Sequence, residues 1–231
     1  MEKGKDYRYR LSLGDRKDEK KYYKDDKSWD DAEGVLRTVL TGMKAPFYEA
    51  QNEAAFYGPK IDIQVRNVAG REETAFTVQY DFVMPKRFDL LYTAEDGTQK
   101  QPVVIHRSSI GALERTMAFL IEKTAGAFPL WLSPVQAVII PIAERHTEAA
   151  RSTAAQLSAA GFRIQVDDRS EPMQAKIRHH TLQKVPYLGI IGDREAASGG
   201  ISVRTRSGTD LGAMPLAAFN RRMDEEVQNK R

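Results

Sequence analysis

Cysteine is absent from the 231 residues, so the chain can build neither a disulfide framework nor a thiolate metal site. That absence fits a reducing compartment, and a cytoplasmic location is expected. Histidine is scarce, at four residues, so a metal centre made from this chain alone has few imidazoles to draw on. Long hydrophobic runs are also missing. The longest, AVIIPIA at 137–143, is far too short to span a bilayer, so no membrane partner is expected. The opening MEKGKDYRYR is charged and has no apolar h-region, which argues against a secretory signal peptide. Neither charge sign dominates: 35 Lys and Arg against 32 Asp and Glu give +3, which permits a polyanionic partner without requiring one. No P-loop, dinucleotide fingerprint or HExxH is present. What remains is an ordinary globular composition, 41% hydrophobic and 29% charged, long enough for one large domain or two modest ones.

Residues 14–31 mix both charge signs densely and read as a solvated loop or arm. Trp29, Ala32, Val35, Leu36, Val39 and Leu40 then share a helical face, with Ser28 a plausible N-cap. Ile61, Ile63 and Val65 alternate with Asp62, Gln64 and Arg66. After a turn at Gly70, Phe76, Val78, Tyr80 and Phe82 alternate with Thr77, Gln79 and Asp81. The two runs predict an antiparallel pair, polar on one face. A short strand ends at His106, and a helix is expected over 109–124, capped by Ser108 or Ser109. The Gly- and Pro-punctuated stretch AGAFPLWLSP, 125–134, marks a domain boundary. Beyond it come the strand VQAVIIPI, a helix over 144–160, the strand FRIQVD, a helix over 171–183, the strands PYLGIIG and ISVRTR, and a helix over 215–228. That order predicts a compact α/β unit.

Several side chains carry possible chemistry. Gly58-Pro59 forces a turn that presents Tyr57 and Lys60 at the mouth of a sheet; an aromatic plug beside a surface lysine is the plainer alternative. The polar face Thr77, Gln79 and Asp81 either meets solvent or floors a cavity, in which case Gln79 and Asp62 become candidate ligand contacts. His106 closes a strand, as a satisfied edge residue or as a metal ligand. Arg115 sits in the second turn of the expected helix behind the small residues Gly111 and Ala112. Its planar fork suits a phosphate, and an ion pair with Glu114 or Glu122 is the alternative. His146 is expected to be exposed in a first helical turn, and the adjacent His179 and His180 splay too far apart to share a metal. Lys176, Arg178, Lys184, Arg194, Arg204 and Arg206 cluster in the second unit as a possible nucleic-acid face.

Taken together, AFYGPKIDI, VQYDF, VIHRSSIGALER and AGAFPLWLSPVQ resemble the threonyl-tRNA synthetase family of class II synthetases, and the resemblance runs through nearly the whole chain. It includes KIRHHTLQKVPYLGIIGDRE and VRTRSGTDLG in the last hundred residues. It implies an α+β end of a class II catalytic domain over 1–130, an antiparallel sheet with helices. An α/β anticodon-binding domain with a mixed five-stranded sheet is implied over 134–231. Of the three class II signature motifs only the third is carried, at GALER.

On this resemblance His106 ligates a catalytic Zn²⁺ whose other protein ligands, a cysteine and a histidine, lie upstream. Arg115 meets the ATP γ-phosphate with Mg²⁺ accompanying the nucleotide, and Gly111 lies in the ATP site. Tyr57, Lys60 and Gln79 match substrate-pocket positions, with Lys60 also catalytic. Arg178, Glu195 and Arg204 match tRNA-contacting positions. The implied activity is ATP-dependent threonylation of threonine tRNA by a homodimer, with this chain alone inactive. The alternative is a non-catalytic tRNA-binding protein working through the anticodon domain. Thr74, Phe76, Ala112 and Ser170 depart from common family residues, so those contacts are not carried over. An absent upstream segment would leave a raw sheet edge, so the first ~130 residues are expected to be the less stable part.

Overall fold

The computed structural model describes residues 6–230. The chain divides into two compact units, one ending at Glu122 and one beginning at Lys123.

The first unit runs β1 (Tyr7–Ser12), α1 (Asp26–Gly42), β2 (Phe47–Ala50), β3 (Lys60–Arg66), β4 (Glu72–Asp81), α2 (Met84–Arg87), the short pair β5 (Tyr92–Thr93) and β6 (Gln99–Lys100), β7 (Val104–Ser108) and α3 (Leu113–Thr124). Its main sheet has the order β2-β1-β3-β4-β7. The expected β3–β4 pair is antiparallel, as are β1–β3 and β4–β7, while β1 and β2 run parallel at one edge. Period-two alternation sorts the faces. Leu11 and Ile61 pack against Leu36 and Leu40 of α1. The opposite face carries Arg10, Ser12, Lys60, Asp62, Thr77 and Gln79, in register across three strands.

The segment expected to be a solvated arm is partly folded. Tyr22 is buried beside Trp29, the two rings edge to face at 5.5 Å. Arg16 reaches Glu33 of α1 at 3.1 Å, and the Gly14 N–H donates to the same carboxylate at 3.2 Å. These contacts cover Glu33, which is buried; Val35 and Val39, assigned to the apolar face from sequence, are about half exposed. The cap of α1 is Asp25 rather than Ser28. Its carboxylate accepts from Ser28 N at 3.1 Å and Ser28 Oγ at 2.7 Å, and pairs with Lys86 at 2.6 Å. Lys86 first, then Ser28, pull the Asp25 carboxyl down to about 2. A depressed carboxyl stabilises the fold above the unfolded value, near 3.9, and stops doing so as pH falls towards 2. Asp25→Ala should therefore cost about 1 kcal/mol near pH 7. In denaturant melts that difference should shrink towards zero by about pH 2.

The expected helix over 109–124 starts later, at Leu113, because Gly111 adopts φ 73° and donates its N–H to Ser108 Oγ at 2.8 Å. Arg115 thus lies in the first turn, not the second. No residue of α3 is buried, and Leu113, Met117 and Ile121 are exposed, as is Ile105 on edge strand β7.

The second unit contains β8 (Ala137–Pro141), α4 (Thr147–Ala159), β9 (Ile164–Val166), α5 (Met173–Leu182), β10 (Tyr187–Ile191), α6 (Asp193–Ser198), β11 (Gly200–Thr205), β12 (Asp210–Pro215) and α7 (Leu216–Gln228). The sheet order is β12-β11-β10-β8-β9, parallel through β10, β8 and β9 and antiparallel beyond, so it is mixed and five-stranded. Ile139, Tyr187 and Val203 face Leu157 of α4 and Phe219 of α7; Val138, Ile140 and Leu188 face the side where Met173 and Ile177 of α5 pack. Helices on both faces and wholly buried β8 make this the better-insulated unit. Limited proteolysis should therefore cut the first unit first and leave a resistant piece beginning near residue 134; early loss of the second unit would contradict this.

Candidate functional site

Pairing register places one row of side chains across the polar face of the first sheet: Ser12, Lys60, Gln79 and His106, from four neighbouring strands. Adjacent strands lie about 4.8 Å apart, so Lys60 and His106 flank Gln79 about two spacings from each other. The turn before β3 adds Tyr57. It is fixed by Gly58, where a Cβ would stand 1.8 Å from the carbonyl oxygen of Tyr80, so only glycine lets the turn lie against β4. Tyr57 Oη donates to Gln79 Oε1, and its ring sits 5.5 Å from that of His106. Burial first, then the charge of Asp81, pushes the Tyr57 phenol up, so it stays a donor at neutral pH.

His106 is half exposed, and its Nε2 lies 2.8 Å from Oδ2 of the fully buried Asp81. The other oxygen of Asp81 accepts the backbone N–H groups of Val83 at 2.9 Å and Met84 at 2.8 Å. The imidazole is therefore steered from below through Nε2, leaving Nδ1 as the nitrogen able to ligate. The described residues contain no group of three or more His, Cys, Asp or Glu able to hold a metal. Asp81 and His106 do not make a zinc centre by themselves.

Lys60 Nζ is 3.1 Å from Oδ2 of Asp62, another fully buried carboxylate. Arg115 is exposed and donates Nη1 to the carbonyl of Thr74 at 3.3 Å, beside a small apolar cavity lined by Val65, Phe76 and Phe119. Gly111, expected to leave room for a ligand, is instead approached by protein: a Cβ there would meet the Ala75 carbonyl at 2.1 Å.

In the second unit Arg178, Glu195 and Arg204 stand on α5, α6 and β11, and no hydrogen bond or ion pair joins them among the described residues. Glu195 Oε2 accepts the Gly192 N–H at 3.0 Å, and Arg204 lies 3.9 Å from Asp210. A cavity of about 520 Å³ opens beyond the ends of β8 and β9, lined in part by Thr147, Arg169, Ser170 and Lys176.

Residues 13–124 match the model of the tRNA synthetase class II core domain (G, H, P, S and T), and residues 136–226 match that of the anticodon binding domain. The threonine–tRNA ligase of Clostridium botulinum (strain Eklund 17B / Type B) is 46% identical over 97% of this chain. That of Halalkalibacterium halodurans is 44% identical over the same share. The chain is similar to threonine–tRNA ligases along nearly its whole length. It spans 35% of the length of these curated relatives. Among solved structures, the RNA binding domain of threonyl-tRNA synthetase from Cryptosporidium parvum superposes with a TM-score of 0.86 at 30% identity, over 95% of this chain and 55% of the other. A putative threonyl-tRNA synthetase from Aeropyrum pernix gives 0.75 at 26%, over 100% and 56%.

Of the residues matched to threonyl-tRNA synthetase pocket positions, the structure brings Tyr57, Lys60, Gln79 and His106 to one face. Two expectations about the basic and histidine residues do not hold. Lys176 is buried, its ammonium donating to the Asp167 carbonyl at 3.1 Å, and so is not part of a surface cluster. His146 is buried, with Nε2 2.9 Å from Asp193 and Nδ1 accepting the Ala143 N–H. Arg206 lies just past β11 and donates to the Phe128 carbonyl at 2.5 Å. Sequence reasoning placed Asp81 on the polar face but missed its pairing with His106, and it missed Asp167 beneath Arg169 and His180 altogether. Arg169 first, with His180 also contributing, holds the Asp167 carboxyl well below the usual range against burial, while burial pushes the His180 imidazole down. The signal for Asp81 lay in the alternation of β4, which puts it on the face of Gln79.

Proposed function

We propose that this chain is the end of the catalytic core and the anticodon-binding domain of a threonine–tRNA ligase. The supporting observation is the row Lys60, Gln79 and His106, with Tyr57 bonded to its middle member. In the reaction, the threonine carboxylate attacks the ATP α-phosphate and pyrophosphate leaves. The threonyl group then passes to a hydroxyl of the terminal adenosine of threonine tRNA. Tyr57, Lys60 and Gln79 hold the amino acid, Lys60 supplying a cation for its carboxylate or for phosphate. Arg115 meets the γ-phosphate, where Mg²⁺ accompanies ATP, and stabilises charge that grows on the departing pyrophosphate. Gly111 belongs to the nucleotide site by shaping the turn before α3.

Zinc is part of this reading only through His106, with the remaining ligands outside the described residues. When bound, it supplies a position that demands the threonine hydroxyl. The intact enzyme works as a homodimer in the cytoplasm. No helix of the described residues is long and apolar enough to cross a membrane.

Arg178, Glu195 and Arg204 contact the tRNA. The full chain should bind an anticodon stem-loop of threonine tRNA with a steep salt dependence. Arg204→Ala should weaken that binding by about 1–3 kcal/mol, read by titration. The catalytic assignment is tested by a hybrid in which the 225 matching residues of the Clostridium botulinum relative are exchanged for this chain. The hybrid should charge threonine tRNA; a hybrid that folds and binds tRNA but never activates threonine favours the binding-only alternative.

A further inference from the structure

We propose that Asp62 is the positioning residue for Lys60, anchoring its ammonium at one fixed point above the sheet so that its remaining N–H groups meet an anionic ligand. This rests on the reading of Lys60 as a group that holds the substrate carboxylate or a phosphate.

The geometry is unusual for a strand interior. Asp62 has no exposed side-chain surface. Its Oδ2 accepts from Ser12 Oγ at 2.8 Å and Arg10 Nη2 at 2.9 Å, and the Lys60 ammonium forms an ion pair with it at 3.1 Å. Its Oδ1 is buried with no hydrogen-bond partner among the described residues, and so is Oγ1 of Thr77, its register partner on β4. Burying a carboxylate costs several kcal/mol per ion, and an apolar residue of similar size often serves stability as well. Architecture alone gives weak reason for a carboxylate that leaves one oxygen unmet.

Arg10 does not supply that reason, since it is also held by Ser12 at 3.1 Å and by Glu53 at 3.3 Å. Lys60 differs. Its ion pair is with Asp62, and its side chain retains about a fifth of its exposure, on the row with Gln79 and His106. A lysine ammonium is a point charge on a flexible four-carbon stem. An ion pair with a rigid, fully buried partner fixes that charge and leaves ammonium N–H groups for a ligand. Asp62 is able to act this way because it stays ionised. Burial raises its carboxyl, but the bonds from Arg10 and Ser12 and the charge of Lys60 outweigh it, and the carboxyl rests below its usual value.

The test follows the Lys60 ammonium directly in the full chain, labelled with ¹⁵N-lysine, by its hydrogen-exchange rate in wild type, Asp62→Asn and Asp62→Glu. Lys86, paired with Asp25 at 2.6 Å in the same unit, is the internal reference. Asp62→Asn should speed exchange at Lys60 about tenfold, because the charge that holds the ammonium is removed. Asp62→Glu should restore much of the protection, and Lys86 should not change in either variant. Unchanged exchange at Lys60, or equal acceleration at Lys60 and Lys86, overturns the proposal, the second result indicating general loosening. The functional half is read in the hybrid enzyme, where Asp62→Asn should raise KM for threonine or ATP more than it lowers kcat. If Lys60→Ala impairs the hybrid while Asp62→Asn does not, positioning by Asp62 fails on its own. If Lys60→Ala also has no effect, the underlying reading of Lys60 fails and takes the proposal with it.

Discussion

Arg115→Ala in the hybrid enzyme is expected to lower threonine-dependent ATP–pyrophosphate exchange by about 10²–10³-fold, the usual cost of removing one preorganised group from developing charge. The loss should fall mainly on kcat, because the contact strengthens as pyrophosphate departs. Structure argues against unfolding as the cause. Arg115 is exposed, and it makes a long hydrogen bond of 3.3 Å to a backbone carbonyl. Exposed substitutions of that kind usually change stability by no more than about 0.5 kcal/mol. Arg115→Lys should recover little, since an ammonium cannot present two parallel donors to a phosphate. Retention of full exchange activity by Arg115→Ala would remove this residue from the site.

His106→Ala carries the second large effect, and it is one of selectivity. Threonine and valine are nearly the same shape, so an apolar pocket separates them by only about 10²-fold. A site whose polar partner needs the hydroxyl rejects the analogue by about 10⁴–10⁵-fold. His106→Ala in the hybrid should therefore lose zinc, measured by elemental analysis, and let valine activation rise relative to threonine by several orders of magnitude. Asp81→Asn should reproduce part of this loss, because the imidazole is steered through its 2.8 Å contact with Asp81. A His106→Ala hybrid that keeps its zinc and still rejects valine contradicts the assignment.

Much of this site is legible in the chain itself because strands advertise their faces. The alternation of Ile61, Ile63 and Val65 with Asp62 and Gln64 predicts both the β3–β4 pair and which face is polar, and the structure agrees. Register does the rest, since the pairings of Lys60 with Gln79 and of Gln79 with His106 turn three distant residues into neighbours. The alternation in β1 of Tyr7, Tyr9 and Leu11 with Arg8, Arg10 and Ser12 carries the same signal, and that strand supplies two of the donors to Asp62.

What pattern does not reveal is where a side chain is satisfied by a partner far away in sequence. His146 looks exposed from its place in a first turn, yet Asp193, 47 residues on, gives it a buried contact. Ser28 looks like the cap of α1, yet the pairing of Asp25 with Lys86, 61 residues on, favours an earlier start. Gly111 looks like space for a ligand, yet the Ala75 carbonyl fills it. Each of these follows from long-range packing, which local periodicity does not encode.

The direct measurement is a crystal structure of the hybrid enzyme with a non-hydrolysable threonyl-adenylate analogue. The threonyl group should lie over β3, β4 and β7 with its amino acid end between Tyr57 and His106, its acyl-phosphate linkage within hydrogen-bonding reach of Lys60, and its adenosine leading towards Arg115. An analogue bound away from that polar face, with Lys60 and Gln79 touching only solvent, would contradict the account.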